Sequence, residues 1–577
     1  MTTLVALALS SSAALLVPSD PVPPRALLSN VPGAPTSLVP GLGGVSFQPG
    51  ASVTHFDRVY AHPSGHWAIT AFADLPSSRD ECLIVDGALV LQEGSPAPWT
   101  AGADCGTIDQ RVGVNSSGDF VLATNVSGTV DDDYVAGRIG GTWTTFAQEG
   151  GAVPGLAGAT LDDTIDSPLL LDDGRAGYAA DGIDGLGSTS IDDVLVLGGA
   201  LLLQEGVTAP AGQAGGASRA IENFDLGDFW ASGDGTSWLV QGDLEGSSSS
   251  DDVVVVDGAI VLQEGEPVAG SGFVDPIASS GIHGVSMTPD GTWFARGENA
   301  GGGADWVVRS GALVASTGAP VFAGSAEVWD DADVEDTFTG AAGNGLGDYV
   351  VAGATLRADG SASAVVAING AGVVARTGDP VDVDGNGLLD DGLFLHAFGT
   401  GDLALTDDLR VLAVVTLGDA SGSPVAQALV ELDARGPVWT RFCEAGANST
   451  GATGSLNARG TAGADANDLV LCAGALPPSA FAIAIASHGT ADQLGAFGGD
   501  GRLCLASPFA PFRSLGDIGV VAADGSVEFA LDLTSVPWPG GAASVAPGET
   551  LYFQVLHRDW LPGPTSNLTE ALGVTFR

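Results

Sequence analysis

Seven times along this chain an apolar run closes on a short turn ending in glycine: Gly94, Gly150, Gly206, Gly265, Gly318, Gly378 and Gly436, about 53 to 60 residues apart. Four of these corners complete the same tripeptide, Gln92-Glu93-Gly94, Gln148-Glu149-Gly150, Gln204-Glu205-Gly206 and Gln263-Glu264-Gly265. Self-similarity at such a period marks a repeat architecture, in which each unit buries its faces by stacking on its neighbours.

Residues 251–265 display one unit's second half. Four β-branched residues, Val253 to Val256, run into the two-residue turn Asp257-Gly258, and Ala259 to Leu262 return. This is a hairpin by pattern and by turn chemistry. The same turn recurs as Asp86-Gly87, Gly198-Gly199, Ser310-Gly311 and Asn369-Gly370. An earlier hairpin is predicted in each unit, turning at Ser64-Gly65, Ser117-Gly118, Asp173-Gly174, Leu226-Gly227, Asp290-Gly291, Leu346-Gly347 and Asp408-Leu409. Two hairpins per unit predict an all-β fold: a seven-bladed β-propeller over residues 45–437, whose last blade is completed by Val45-Ser46-Phe47. The period then stops, and alternating stretches such as Phe481 to Ile485 and Leu551 to Leu556 predict a β-sandwich over residues 438–577.

Charge narrows the partners. The chain carries 70 Asp and Glu against 19 basic residues, all arginine, for a net charge of −51. Such a polyanion is not a nucleic-acid or anionic-lipid binder, because it cannot neutralise phosphates. Without lysine, Schiff-base and P-loop lysine chemistry are excluded. Residues 4–17 are apolar but too short to span a bilayer, and read as the core of a signal peptide over residues 1–20. A Pro-rich linker, 21–44, follows. No later segment reads as transmembrane, so the expected destination is outside the cell or on its surface. Five cysteines contain no CxxC, against zinc-ribbon and thioredoxin readings. In an exported chain Cys82–Cys105 is a candidate bridge, and a bridge among Cys443, Cys472 and Cys504 leaves an odd thiol.

The best metal candidate is Asp382-Val-Asp384-Gly-Asn386-Gly-Leu-Leu-Asp390-Asp391. Oxygen ligands at positions 1, 3 and 5 with glycine at 6 match the first half of a calcium loop. Leu393 stands where the twelfth-position carboxylate belongs, so Asp390 or Asp391 is expected to substitute and Ca²⁺ is the expected cation. The bland alternative is a solvated acidic turn. Acidic pairs at Asp132-Asp133, Asp192-Asp193 and Asp251-Asp252, with Asp305, read first as strand starts and solvated loop tips, and otherwise as a cation-collecting ring. Glu93, Glu149, Glu205 and Glu264 read as turn residues. His55, His62 and His66 have no zinc-motif spacing. No GxSxG elbow appears, and a glycosidase needs two convergent carboxylates that sequence cannot select from 70 acids.

The chain resembles a group of exported bacterial tandem-repeat proteins. The resemblance rests on corners such as Gln92-Glu93-Gly94-Ser95-Pro96 and Arg376-Thr377-Gly378-Asp379-Pro380. Further along it rests on Phe442-Cys443, Leu503-Cys504, Arg558-Asp559, Asn567-Leu568-Thr569 and Val574-Thr575-Phe576. It implies export and a modular surface or secreted protein, and brings no catalytic residue. The expected function is therefore non-enzymatic binding, adhesion or structure, with a glycan or surface protein as partner and a monomeric chain. The alternatives are a carbohydrate-active hydrolase or lyase using carboxylates at the propeller mouth, and calcium-dependent adhesion.

Overall fold

The computed structural model describes residues 24–576, apart from 52–53, 163, 215–217, 302, 323–324, 326, 331–336, 358–359, 371, 387–388, 390, 435–438, 444, 460–466, 468, 497–500, 513–517, 524, 547–548 and 561–564. The expected signal peptide, the seventh corner Gly436 and the candidate ligand Asp390 lie outside the described residues. The chain divides into two compact units, Pro23–Pro437 and one holding Val438–Arg577. Among the described residues there is no α-helix, only a 3₁₀ turn at Pro35–Ser37; all other regular structure is antiparallel strand.

The first unit holds seven open sheets in chain order. Sheet I is Tyr60–Ala61, Trp67–Phe72, Glu81–Val85 and Ala88–Gln92. Sheets II, III, IV and V repeat this four-strand order over residues 104–148, 164–204, 221–263 and 277–316. Sheet VI, 328–376, has five strands. Sheet VII is Phe394–Leu405, Arg410–Gly418 and Pro424–Asp433, with Arg25–Ser29 paired to Pro424–Asp433 as its fourth strand.

Apolar runs replace strict alternation because the interior strands are covered on both faces. Val194–Leu197 is buried throughout, and so are four of the six residues of Trp67–Phe72. Each interface is a hydrophobic cluster shared by consecutive sheets: Leu83 with Phe120 (I and II), Val135 with Tyr178 (II and III), Leu195 with Phe229 (III and IV). The series continues with Val254 and Trp306 (IV and V), Val307 and Val365 (V and VI), and Val366 and Val430 (VI and VII). A further cluster joins Leu412, Val414 and Leu429 of sheet VII to Ile69, Ala71 and Ile84 of sheet I, with Leu28 between them.

The glycine corners explain the period. The described corner N–H groups bond at or just before the start of the next sheet: Gly94 to the Cys105 carbonyl at 2.7 Å, Gly150 to Leu161 at 2.9 Å, Gly206 to Ile221 at 2.8 Å and Gly378 to Leu395 at 2.7 Å. At Gly206 φ is +60°, and a Cβ would sit 2.2 Å from the Ser190 carbonyl oxygen, so only glycine fits. The preceding glutamine closes the loop beneath it: Gln92, Gln204 and Gln263 donate through Nε2 to the carbonyls of Arg79, Ile191 and Ser250 at 2.7, 2.8 and 2.8 Å. Gln148 donates instead to the Tyr134 hydroxyl at 2.8 Å. The two-residue turns have positive φ at both positions, as at Asp257 (51°) and Gly258 (79°), which is the primed geometry hairpins favour.

Three expectations are corrected. Arg25–Ser29, and not Val45–Phe47, joins the last sheet, so a strand lies inside the stretch read as a linker; Ser46 and Phe47 instead bridge Leu38 and Ala73. Five residues that include Ala26 and Leu28 can pair with Pro424–Asp433 and fill two clusters at once, which outweighs the flanking prolines. Leu226-Gly227 lies within the strand Ile221–Ala231, and the turn falls at Asp234-Gly235, where the Asp234 carboxylate accepts from the Thr236 N–H at 2.9 Å. Cys82 and Cys105 are free buried thiols in neighbouring sheets, and the disulfide joins Cys443 and Cys504. Burial pushes the Cys82 and Cys105 thiols up to about 12 and about 11, which makes them inert.

The second unit contains a seven-stranded sheet built around Phe481–Ser487 and Thr550–Asp559, and a three-stranded sheet of Ser455–Arg459, Val470–Gly474 and Val527–Ala530. One hydrophobic cluster spans both, with Leu456, Leu471 and Phe529 against Ala484, Phe553 and Leu572.

Candidate functional site

The acidic loop is fastened at its first residue. The Asp382 N–H donates to the Pro24 carbonyl at 2.9 Å, and its carbonyl accepts from the Ala26 N–H at 2.8 Å, so the loop is stitched to the strand Arg25–Ser29. Asp382 is 2% exposed. Its carboxylate accepts from the Gly385 N–H at 2.8 Å, and Asp391 accepts from the Val383 N–H at 2.6 Å. Oxygens of Asp382, Asp384 and Asp391 lie within 4.8 Å of one another. The Asn386 amide is turned to Asp384, donating Nδ2 to Oδ2 at 3.0 Å. Three carboxylates so close can hold a metal ion; nothing in their geometry selects calcium.

The paired acids and the corner glutamates form one device, which sequence spacing left divided. Glu149 accepts from the Asp132 N–H at 2.8 Å, and Glu205 from the Asp192 N–H at 3.2 Å. This gathers Asp132, Asp133 and Glu149, and likewise Asp192, Asp193 and Glu205, to within 4.8 Å. Burial, helped by a hydrogen bond and charge from Asp181, pushes Asp193 up to about 8. The glutamates thus cap the N–H groups at a strand entry, as the turn reading expects, and Asp133 and Asp252 open strands. Sequence could not show that each glutamate returns to an acidic pair in its own sheet.

The histidines do not converge on a metal. His62 Nδ1 meets the Ser64 hydroxyl at 2.9 Å, while His66 Nδ1 meets Asp86 at 2.7 Å.

The feature that sequence reasoning missed is a cavity of about 130 Å³ lined by all seven sheets of the first unit. Tyr60, Val112, Leu169, Trp230, Met287, Ala342 and Leu403 contribute one wall position from each of sheets I to VII. Two arginines line it, together with the polar residues His62, Ser286 and Thr288. Arg111, 5% exposed, donates Nη1 to the Ser167 hydroxyl at 3.3 Å and Nη2 to the Phe229 carbonyl, reaching from sheet II to III and IV. Its guanidinium carbon lies 4.7 Å from the Trp230 ring centre. Arg58 lies 5.2 Å from the same ring and 5.5 Å from that of Tyr60, as cation–π contacts require. Among the described residues no Asp or Glu lines this cavity. Two carboxyls near Arg58 lie outside its wall. Burial and the charges of Glu81 and Asp402 push Asp57 up to about 7; burial raises Asp402 to about 6 against the pull of Arg58.

Hydrogen bonds also pass between the turns at one end of the cavity. The Asn115 amide donates to the Leu171 carbonyl, the Asp172 N–H to Gly233, the Gly233 N–H to Pro289, the Asn344 amide to Thr406, and the Asp407 N–H to Pro63. They tie sheets II to III, III to IV, IV to V, VI to VII and VII to I.

No protein family matches the sequence, and no curated protein does. Among solved structures the chain is similar to prolyl oligopeptidase B from Galerina marginata, with TM-score 0.27 and 12% identity, over 78% of this chain and 55% of that one. The chain therefore spans about half the length of that neighbour. It is also similar to a bifunctional GH43-CE protein of Bacteroides eggerthii, with TM-score 0.20 and 11% identity, over 92% of this chain and 61% of that one. A tetra-tandem repeat from the extending region of a large adhesion protein has TM-score 0.13 and 10% identity, over 89% and 95%. Likenesses at these scores transfer neither activity nor partner.

Proposed function

We propose that this is an exported, surface or secreted, non-enzymatic binding protein. In this reading residues 24–437 form a closed seven-bladed β-propeller that presents its loops to a glycan or surface protein, and residues 438–577 form a β-sandwich for display. Support for closure comes from the strand Arg25–Ser29, which completes sheet VII while Leu28 packs in the cluster shared with sheet I. The observation that carries the functional reading is the shared cavity. At about 130 Å³ it falls below the roughly 300–1,000 Å³ of sites for drug-sized ligands, and among the described residues no carboxylate lines it, whereas a glycosidase needs a pair. Binding of a glycan or surface protein is thereby left to the outer loops. Incubating the full chain with immobilised polysaccharides and cell-envelope fractions tests it: retention without release of reducing ends is expected. Release in proportion to protein concentration overturns it.

Calcium-dependent adhesion is the second reading, favoured by the convergence of Asp382, Asp384 and Asp391. The fit is good in donor chemistry, since carboxylate oxygens suit Ca²⁺. Calcium at a hundred times its dissociation constant is expected to stabilise the fold by about 2.7 kcal/mol. Asp391→Asn should remove most of the melting shift between calcium and chelator. Equal midpoints in calcium and chelator for the unsubstituted chain rule this reading out.

A further inference from the structure

The cavity shared by the seven sheets inverts the charge of the molecule. The chain has 70 acids and only 19 arginines, yet two arginines and no described acid line this enclosure. Among the described residues Arg58 has no hydrogen-bond acceptor and no carboxylate within ion-pair distance; it lies over the faces of Tyr60 and Trp230, and its charge acts on Asp402, which lies outside the cavity wall. The Trp230 indole N–H is buried and has no hydrogen-bond partner among the described residues. A buried donor left unpaired costs about 1–3 kcal/mol, so a donor in this condition calls for an acceptor. Arg111 adds a second, deeply buried guanidinium against the same ring.

We infer that the cavity is a binding site for one small anion, a tetrahedral oxyanion or a ligand's carboxylate group, held by Arg58 and Arg111 with the Trp230 N–H as a further donor. The guanidinium fork matches the planar acceptor edges of such anions, and charge-assisted bonds of this type are roughly twice as strong as neutral ones. The volume, about 130 Å³, is more than one water requires and leaves room for a small anion. Leu169, Met287 and Leu403 supply apolar wall, and His62, Ser286 and Thr288 add polar positions. The site stands on this cavity and does not depend on the proposed display role.

The full-length chain is melted in inorganic phosphate, sulfate and acetate, each matched in ionic strength with sodium chloride. A rise in midpoint with phosphate or sulfate identifies an oxyanion site; a rise with acetate alone identifies a carboxylate site. The acidic exterior repels anions, which favours an interior origin for any such rise. Arg58→Met keeps the stem and removes the charge, and should weaken the apparent affinity at least about tenfold. Trp230→Phe keeps a ring and removes the N–H, and should weaken it severalfold. Identical midpoints in all four salts overturn the inference, and so does a rise that survives both substitutions undiminished.

Discussion

Raising the pH from 5 to 8 is expected to lower the unfolding midpoint of this chain, the reverse of the behaviour of proteins whose carboxylates are paired with bases. Of the carboxyls whose native pKa values burial raises, three are displaced furthest: Asp402 to about 6, Asp57 to about 7 and Asp193 to about 8. In the unfolded chain each titrates near 3.9. Between those limits the native state holds protons that the unfolded state has released, so stability falls as pH rises. The contribution is fully present below about pH 4 and is lost as pH climbs through 6 to 8. Asp57 is 5% exposed and its Oδ2 has no hydrogen-bond partner among the described residues, so its displacement corresponds to a loss on the order of 4 kcal/mol. Self-repulsion in a chain of net charge −51 acts in the same direction. Asp57→Asn should therefore flatten the profile and raise the midpoint at pH 8. Melting curves that climb steadily from pH 5 to 8 would contradict this account.

The second large effect concerns the strand Arg25–Ser29. Leu28 is 4% exposed and sits in the cluster that joins sheet VII to sheet I. Asn30, immediately after it, donates Nδ2 to the carbonyls of Gln48 and Gly50 at 2.8 Å each and accepts from the Gln427 N–H at 2.7 Å. Removing residues up to 30 strips Pro424–Asp433 of its partner and opens two hydrophobic clusters. Leu28→Asp tests the same joint with one change: burying a carboxylate there is expected to cost about 4 kcal/mol or more. Val130→Asp, at a residue 89% exposed, is the control and should leave the midpoint within about 0.5 kcal/mol of the original. If both variants melt alike, the first strand does not join the ends of the sheet series, and the closed-propeller reading loses its main support.

Much of the fold was legible from residues alone, and the reasons are local. Asp257-Gly258 announces a primed turn because few residues tolerate two successive positive φ angles. The corner glycines stand out because a side chain would strike a carbonyl, as at Gly206. The misplaced turn at Leu226-Gly227 shows the opposite case: the dipeptide permits a turn, but pairing of Phe229 with Val240 and of Trp230 with Leu239 carries the strand past it. At the acidic loop, sequence named Asp382, Asp384 and Asp391, which the fold brings within reach of one another.

Backbone sterics acting within a few residues thus fix the repeat: strands, most of the turns and the glycine corner that hands each sheet to the next. Long-range packing chose which distant strand fills the gap beside Pro424–Asp433, which cysteines meet, and that Arg58, Arg111 and Trp230 line one cavity. Those outcomes turn on contacts between residues tens to hundreds of positions apart, where packing and desolvation, rather than local propensity, choose the partner.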